Sequence, residues 1–234
     1  MPLSHVKVHI PSQSLEVICD NIEADEWKPI LKAISSERNL RIISITHKNL
    51  FHVTYFKGTN LQSNVHRIQQ GPVNSTSSNI VTLTKALLMH IQFSRTLSCL
   101  QLQGIRLKEA AVDNLCKGVE TNDSLQKLVL KECPLTNIGC QKICEAIQNC
   151  RTIKSLELQN CNITHCGALS LAEAIKSQEV YREEIWVKNS VDRTSGKNHA
   201  MGIERINLSG NQTLGDKGLQ YILLALFGND GVKG

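Results

Sequence analysis

The chain has 234 residues, enough for one large domain or a short solenoid. Hydrophobic residues make up 41% of the sequence but aromatic residues only 4%, so an aliphatic core is expected. The net charge of +5 is mild and the basic residues are dispersed, which argues against a nucleic-acid or membrane surface. Nine cysteines, with no signal peptide and no long apolar run, favour a soluble, reduced, intracellular protein.

The N-terminal region predicts two strands and a helix. Residues 6–11 are typical of a short edge strand, and the pattern Leu15-x-Val17 starts the next strand. A helix is expected to begin at Trp27, with Pro29 tolerated because it falls in the first turn. We expect Trp27 to cover the N-terminal end of the fold, as terminal units do in repeat proteins.

An internal repeat dominates the rest of the chain. The pattern Leu-x-x-Leu-x-Leu-x-x-Cys-x-Leu begins at Leu125, recurs from Ile153, and occurs with Ile in place of Cys from Leu97. Equal steps of about 28 residues are typical of leucine-rich repeats. Counted from the second apolar position, units begin near 15, 43, 100, 128, 156 and 206, which predicts about six repeats in a single domain over residues 1–234.

Each unit combines a strand with a helix. The Leu-x-Leu segment has the period of a half-buried strand, and the segment after it has helical period. The predicted fold is therefore an α/β solenoid of the ribonuclease-inhibitor-like class, with a concave parallel sheet and convex helices. Two kinds of turn residue recur at equivalent places. Loop backbone is expected to bond to Cys133, Cys161 and Asn211, and Gly139, Gly167 and Gly218 are expected to permit either the turn or close packing.

Two steps between units are longer than this period. They predict insertions over about 51–79 and 177–200. The first contains Tyr55 and Phe56 and continues into a Ser/Asn/Gly/Pro-rich segment expected to be a mobile linker that ends in the N-cap of a helix. Aromatic residues in these insertions either plug the solenoid or contact a partner, and for Trp186 we favour the plug.

Motifs of catalysis and metal binding are missing from the sequence. Cys140 and Cys144 lie one helical turn apart, but paired C-x-x-C knuckles do not occur, so core cysteines explain them better than zinc does. Nucleophile-elbow, metalloprotease and phosphate-loop motifs do not occur either. The sequence thus predicts a protein that is not an enzyme, with no cofactor, metal or small-molecule substrate.

The candidate site is a polar strip on the concave face. Residues before, between and after the two leucines of each strand point to that face. With the two aromatic residues of the first insertion, the candidate protein-binding residues are Gln101, Gln103, Lys127, Lys131, Glu157, Gln159, Arg205, Asn207, Tyr55 and Phe56. Cys99, Val129, Ser155 and Ser209 lie on the same predicted face. The expected partner is a polar protein segment, and a merely solvated face is the alternative.

The irregular segments, more than the repeats, resemble one family. They are Trp27-x-Pro29-Ile30-Leu31, the enlarged loop before residues 82–87, the turn 133–135, the run 178–186 and the segment 201–206. Together, from about Leu15 to Leu226, they are similar to the leucine-rich-repeat domain of the centrosomal protein of 78 kDa family.

The resemblance implies a non-enzymatic component of centrioles and ciliary basal bodies, linked to cilium assembly and ubiquitin-ligase regulation. It implies other centrosomal or ubiquitin-ligase proteins as partners, and a place in the cytoplasm and cytoskeleton at the centrosome. Two other classes of function stay open at this point. One is a small-GTPase regulator of the GTPase-activating type, which the lack of an acidic rim disfavours. The other is a ligand-sensing repeat domain of an immune receptor.

Overall fold

The computed structural model describes residues 5–48, 77–192 and 202–227, and everything below concerns these residues. Their strands are β1 (Val6–His9), β2 (Ser14–Ile18), β3 (Ile42–Thr46), β4 (Cys99–Gln103), β5 (Lys127–Lys131), β6 (Ser155–Glu157) and β7 (Arg205–Asn207). Their α-helices are α1 (Ala24–Ser36), α2 (Ser77–Phe93), α3 (Glu109–Thr121), α4 (Asn137–Asn149), α5 (His165–Asp192) and α6 (Gly215–Phe227).

The strands form one sheet in the order of the chain, β1 to β7. All pairs from β2 onward are parallel, and equivalent residues of successive repeats lie opposite each other, as Leu100 lies opposite Leu128 and Leu128 opposite Leu156. A helix follows every one of these parallel strands, so the predicted α/β leucine-rich-repeat solenoid is confirmed. β1 pairs antiparallel to β2, and the predicted edge strand is confirmed as well.

The core lies between the sheet and the helices. Leu128 and Leu130 of β5 and Ile143 and Ile147 of α4 are all at most 3% exposed, because the period of two in the strand and of 3.6 in the helix aims them into the same layer. Cysteines fill the remaining space as small hydrophobic residues. Burial raises the pKa of the Cys133 thiol to about 12, so this thiol stays protonated at neutral pH.

The turns after β5, β6 and β7 are held by the side chains of Cys133, Cys161 and Asn211. The Asn211 amide oxygen accepts from the backbone N–H groups of Cys161 and Ile163 at 2.9 and 3.0 Å, and its amide nitrogen donates to the carbonyls of Leu158 and Leu208 at 2.7 and 2.8 Å. The Cys161 thiol donates to the Leu130 carbonyl of the preceding unit. The predicted bonding to loop backbone is therefore present.

Glycine at the start of the helices permits close helix packing. A β-carbon on Gly167 would lie 2.9 Å from Ile163 Cγ2 and 3.0 Å from Cys140 Sγ of α4. At Gly218 the same atom would meet the side chains of Leu214 and Ala168 at 2.9 and 3.2 Å. The two 2.9 Å distances are shorter than carbon atoms tolerate, so the predicted close packing is confirmed at Gly167 and Gly218.

The second insertion begins as a continuation of a helix. α5 runs through Asp192, whereas α3 and α4 have 13 residues each and end at Thr121 and Asn149. No proline or glycine interrupts the sequence between Gly167 and Asp192, which leaves the helix free to continue. Much of the predicted insertion over 177–200 is thus helical, and the side chain of Trp186 lies outside the described part.

Two sequence-based details of the helices are wrong. α1 begins at Ala24, where Glu23 and Glu26 form a capping box, so Pro29 lies in the second turn and not the first. Pro29 has no N–H group to donate to the Asp25 carbonyl. Because both residues are exposed, water can bond to that carbonyl instead. α2 begins at Ser77, which places the predicted N-cap region inside the helix. Trp27 is buried in α1, as part of the core.

Candidate functional site

Three rows of side chains cross the concave face of the sheet, as the strand register dictates. The first row is Ser14, Ile42, Cys99, Lys127, Ser155 and Arg205. The middle row is Glu16, Ser44, Gln101, Val129, Glu157 and Asn207. The third row is Ile18, Thr46, Gln103 and Lys131. We call these rows together the concave surface.

Most sequence-predicted site residues lie on this surface. The rows contain all of the candidates from β4, β5, β6 and β7, while Gln159 follows β6, where its carbonyl accepts from the Glu132 N–H at 2.8 Å. Tyr55 and Phe56 lie outside the described residues. The rows also include Glu16, Ser44 and Thr46 of the first two repeats, which the sequence prediction left out although their strands show the same alternation.

An ion pair joins the first and middle rows. Lys127 Nζ lies 2.6 Å from Glu157 Oε1, with 44% of the lysine side chain and 26% of the glutamate side chain exposed. The pair links β5 to β6 and neutralises two of the charges that the sequence places on the strip. Arg205, in the same row, is exposed at the far end.

A second small polar group lies where β4 and β5 end. Gln103 Nε2 lies 3.5 Å from Glu132 Oε2, and Lys131 Nζ lies 3.9 Å from Glu132 Oε1. Glu132 adopts a left-handed backbone conformation, with φ of 55°, at the turn after β5. The positive charge of Lys131 therefore has a carboxylate beside it, and this end of the surface is close to neutral.

Two predicted members of the strip contribute little exposed surface. Val129 is 3% exposed and Ser155 is 6% exposed. Val129 has Gln101 on one side and Glu157 on the other in the register. Because the Gln101 and Glu157 side chains are long and lie on the adjacent strands, they cover the smaller Val129 side chain. The middle of the surface is thus lined by amide and charged groups, with Val129 buried beneath it.

Cys99 lies beside the ion pair and is partly buried. Loss of solvation raises the pKa of its thiol, and Glu157 acts in the same direction while Lys127 opposes it. The thiol is therefore protonated at neutral pH and is a poor nucleophile. In the described ranges, no group of three or more His, Cys, Asp or Glu residues is arranged to hold a metal ion. The surface presents mainly hydrogen-bonding and charged groups.

No helix among the described residues is long and apolar enough to cross a membrane.

Sequence comparison matches residues 149–172 and 203–223 to the family model "Leucine Rich repeat". These segments contain the β6 and β7 repeats.

Three curated relatives are similar over nearly the whole chain. The mouse centrosomal protein of 78 kDa is 31% identical over 93% of this chain, and its human counterpart is 29% identical over 93%. The "Protein Cep78 homolog" of Drosophila melanogaster is 22% identical over 95%. The chain spans 28%, 31% and 27% of the length of these three relatives.

A solved structure supports the fold. The tropomodulin C-terminal domain of Caenorhabditis elegans superposes with a TM-score of 0.52 over 86% of this chain and 91% of that one. Its sequence identity is 13%, so the similarity concerns the fold alone.

Proposed function

We propose that the chain is a leucine-rich-repeat domain of the centrosomal protein of 78 kDa family and that it is a non-enzymatic protein-binding scaffold of the centrosome. We place it at centrioles and ciliary basal bodies, with roles in cilium assembly and ubiquitin-ligase regulation and with centrosomal or ubiquitin-ligase proteins as its partners. The observation that carries the proposal is the 31% identity to the mouse protein over 93% of the chain.

The concave surface is the proposed docking site. A continuous parallel sheet fixes its rows relative to one another, so a partner meets a rigid surface that loses little conformational entropy on binding. Amide and hydroxyl groups of Ser44, Gln101 and Asn207 offer both donors and acceptors. The partner that suits this chemistry is a polar protein segment.

Proximity labelling in ciliated cells tests the proposal. The domain is fused to a promiscuous biotin ligase and compared with K131E/R205E, which reverses two charges of the concave surface. Lys127 is left in place because its ion pair with Glu157, at 2.6 Å, is closer than that of Lys131 with Glu132, at 3.9 Å. The matched control is K117E/K176E, which reverses two exposed lysines of α3 and α5 on the helical side.

Centrosomal neighbours that disappear with K131E/R205E and persist with K117E/K176E support the concave site. Neighbours that persist with both double variants, while circular dichroism shows intact folds, contradict that site. A wild-type domain that labels no centrosomal protein contradicts the proposed function itself.

A further inference from the structure

The loops that lead from a helix into the next strand carry most of the described arginines. Counted with the first residue of the strand that follows, these loops are residues 37–42, 94–99, 122–127, 150–155 and 202–205, and we call them together the strand-start edge. Among the six arginines whose side chains the structure describes, five lie on this edge and are exposed: Arg38, Arg41, Arg95, Arg151 and Arg205. These arginines are dispersed in the sequence, and the repeat brings them together at one end of the strands.

The strand-start edge has an excess of positive charge. Its five arginines and two lysines, Lys127 and Lys154, outnumber its three acidic residues, which are Glu37, Asp123 and Glu204. The described loops at the opposite ends of the strands, counted with the last strand residue, are residues 18–23, 46–48, 103–108, 131–136, 157–164 and 207–214. These loops contain four lysine or arginine residues and four aspartate or glutamate residues. The excess of positive charge therefore belongs to one edge of the described sheet and not to both.

Compensation of the helix dipoles does not account for these arginines. A basic residue that offsets the partial negative charge of a helix C-terminus lies in the last turn, because the effect falls off within that turn. The last turns of α1, α3 and α4 contain no basic residue. Arg38, Arg95 and Arg151 instead follow two residues after the ends of α1, α2 and α4. Their positive charges lie in the loops, where a partner can reach them.

Four residues of this edge occupy equivalent positions in successive repeats. Each lies four residues before the start of β3, β4, β5 or β6, and the starts of these strands are in register: Arg38, Arg95, Asp123 and Arg151. Equivalent residues of adjacent repeats are about 5 Å apart at the strands and about 8–10 Å apart at the helices. From Arg38 to Arg205 the edge crosses five repeats, and it therefore extends over about 20–40 Å.

The contacts of Arg38 and Arg95 leave both groups able to bind an anion. Arg38 Nη1 donates to the Met89 carbonyl at 3.0 Å, and the guanidinium lies 4.9 Å from the centre of the Phe93 ring. This bond uses one of the five N–H donors of a guanidinium, so the group is held in place with donors to spare. Arg95 Nη1 lies 3.2 Å from Asp123 Oδ2, but the two side chains are 85% and 69% exposed. Such an exposed pair is weak, so a carboxylate of a partner can compete for Arg95.

We propose that the strand-start edge is a docking surface for an acidic segment of a partner protein. A carboxylate accepts two parallel hydrogen bonds from one guanidinium, which suits an edge rich in arginine. A nucleic acid fits this edge less well, because it carries a phosphate at every nucleotide and some phosphates would meet Asp123 and Glu204. A peptide can place neutral residues opposite these two carboxylates. Because Arg38, Arg95 and Arg151 lie outside the rows of the concave surface, this docking surface does not depend on the concave site.

Fluorescence anisotropy of a labelled peptide tests the proposal on the 234-residue chain. The probe is a peptide of about ten residues in which glutamate alternates with serine, and its extended length of about 33 Å matches the edge. R41E/R95E should bind this peptide at least about tenfold more weakly than the wild type, because like charges oppose association. D123N should bind it about twofold more tightly or better, because the edge loses a carboxylate. The matched control K117E/K176E changes the net charge by the same amount on the helical side and should stay within about twofold of the wild type.

The substituted side chains are exposed, so the thermal unfolding midpoints of these variants should stay near that of the wild type. If R41E/R95E unfolds, R41Q/R95Q takes its place, because it removes both cations without adding carboxylates. A wild-type chain that does not bind the peptide, or equal weakening by R41E/R95E and K117E/K176E, overturns the proposal. Tighter binding of a single-stranded oligodeoxythymidine with the same number of charges as the peptide overturns it too, because the partner of this edge is then a nucleic acid.

Discussion

Gln178 makes the hydrogen bonds that Asn122 makes two repeats earlier. The Asn122 amide nitrogen donates to the Ile91 carbonyl at 2.7 Å, and its oxygen accepts from the Leu125 N–H at 2.6 Å. The Gln178 amide does the same with the Ile147 carbonyl at 2.8 Å and the Ile203 N–H at 2.9 Å. Asn122 caps the end of α3, whereas Gln178 lies inside α5. The Gln178 side chain thus helps to hold the β7 unit in register with the units that precede the second insertion.

Removal of the Gln178 amide should destabilise the domain. In Q178A the Ile147 carbonyl keeps only the Cys150 N–H and the Ile203 N–H loses its side-chain partner, so we expect the free energy of unfolding to fall by about 1–3 kcal/mol. Q178N should recover little of this loss, because its shorter side chain does not span the gap from the helix interior. Urea denaturation measures the change, with Q126A as the exposed control. Equal stability of Q178A and Q126A would show that the bonds contribute nothing.

Two equivalent glycines should respond differently to the same substitution. A β-carbon at Gly167 lies within 3.0 Å of Ile163 Cγ2 and Cys140 Sγ, whereas at Gly139 the nearest atoms are 3.3 and 3.6 Å away. G167A should therefore lower the free energy of unfolding by about 1–3 kcal/mol through overpacking. G139A should remain within about 1 kcal/mol of the wild type, because alanine favours the helix and offsets the milder contact. Thermal and urea unfolding give both values, and a reversed order would refute this packing account.

His90 should make the stability depend on pH. Its ring is fully buried between α1 and α2, with Nδ1 3.0 Å from the Ile34 carbonyl. Burial lowers the pKa of His90 below the usual 6.5, and the charge of Arg38 acts in the same direction, while backbone groups of Ile34 and Glu37 and the Glu37 carboxylate oppose it. The unfolded chain therefore takes up the proton first. Stability from this group is complete above pH 6.5 and is lost as the pH falls from there toward the lowered pKa.

The pH effect is isolated by comparing the wild type with H90F. Urea unfolding at several pH values between about 7.5 and 5 should show a falling free energy for the wild type. The free energy of unfolding of H90F should fall less over the same pH range, because phenylalanine binds no proton. Parallel curves would mean that His90 titrates as it does in the unfolded chain.

The Lys127–Glu157 ion pair should matter more for recognition than for stability. Because the lysine is nearly half exposed, a double-mutant cycle with K127A and E157A should give a coupling free energy of about 1 kcal/mol or less, reduced further by salt. The swapped variant K127E/E157K should keep the fold and reverse the direction of the pair, and it should change partner binding. Urea unfolding and the proximity-labelling pattern measure the two effects separately. A coupling well above this range would assign the pair a structural role.

Sequence periodicity predicts most of the fold, because each position that it identifies is repeated and each repeat contacts the next at the same places. Leu128, Leu130 and Cys133 were predictable in this way. The bonds of Gln178 were not, since they join segments on either side of an insertion whose path the sequence leaves open. Val129 was assigned correctly to the concave face, but its burial depends on the neighbouring side chains Gln101 and Glu157, which only the strand register brings together.

We propose that the concave surface holds this domain at the centrosome. The most direct test of this proposal is the centrosomal fluorescence of the tagged domain in ciliated cells, measured for the wild type, K131E/R205E and K117E/K176E at equal expression. We expect K131E/R205E to lose most of its centrosomal signal while K117E/K176E keeps the wild-type signal. Equal centrosomal signal for all three proteins would contradict it.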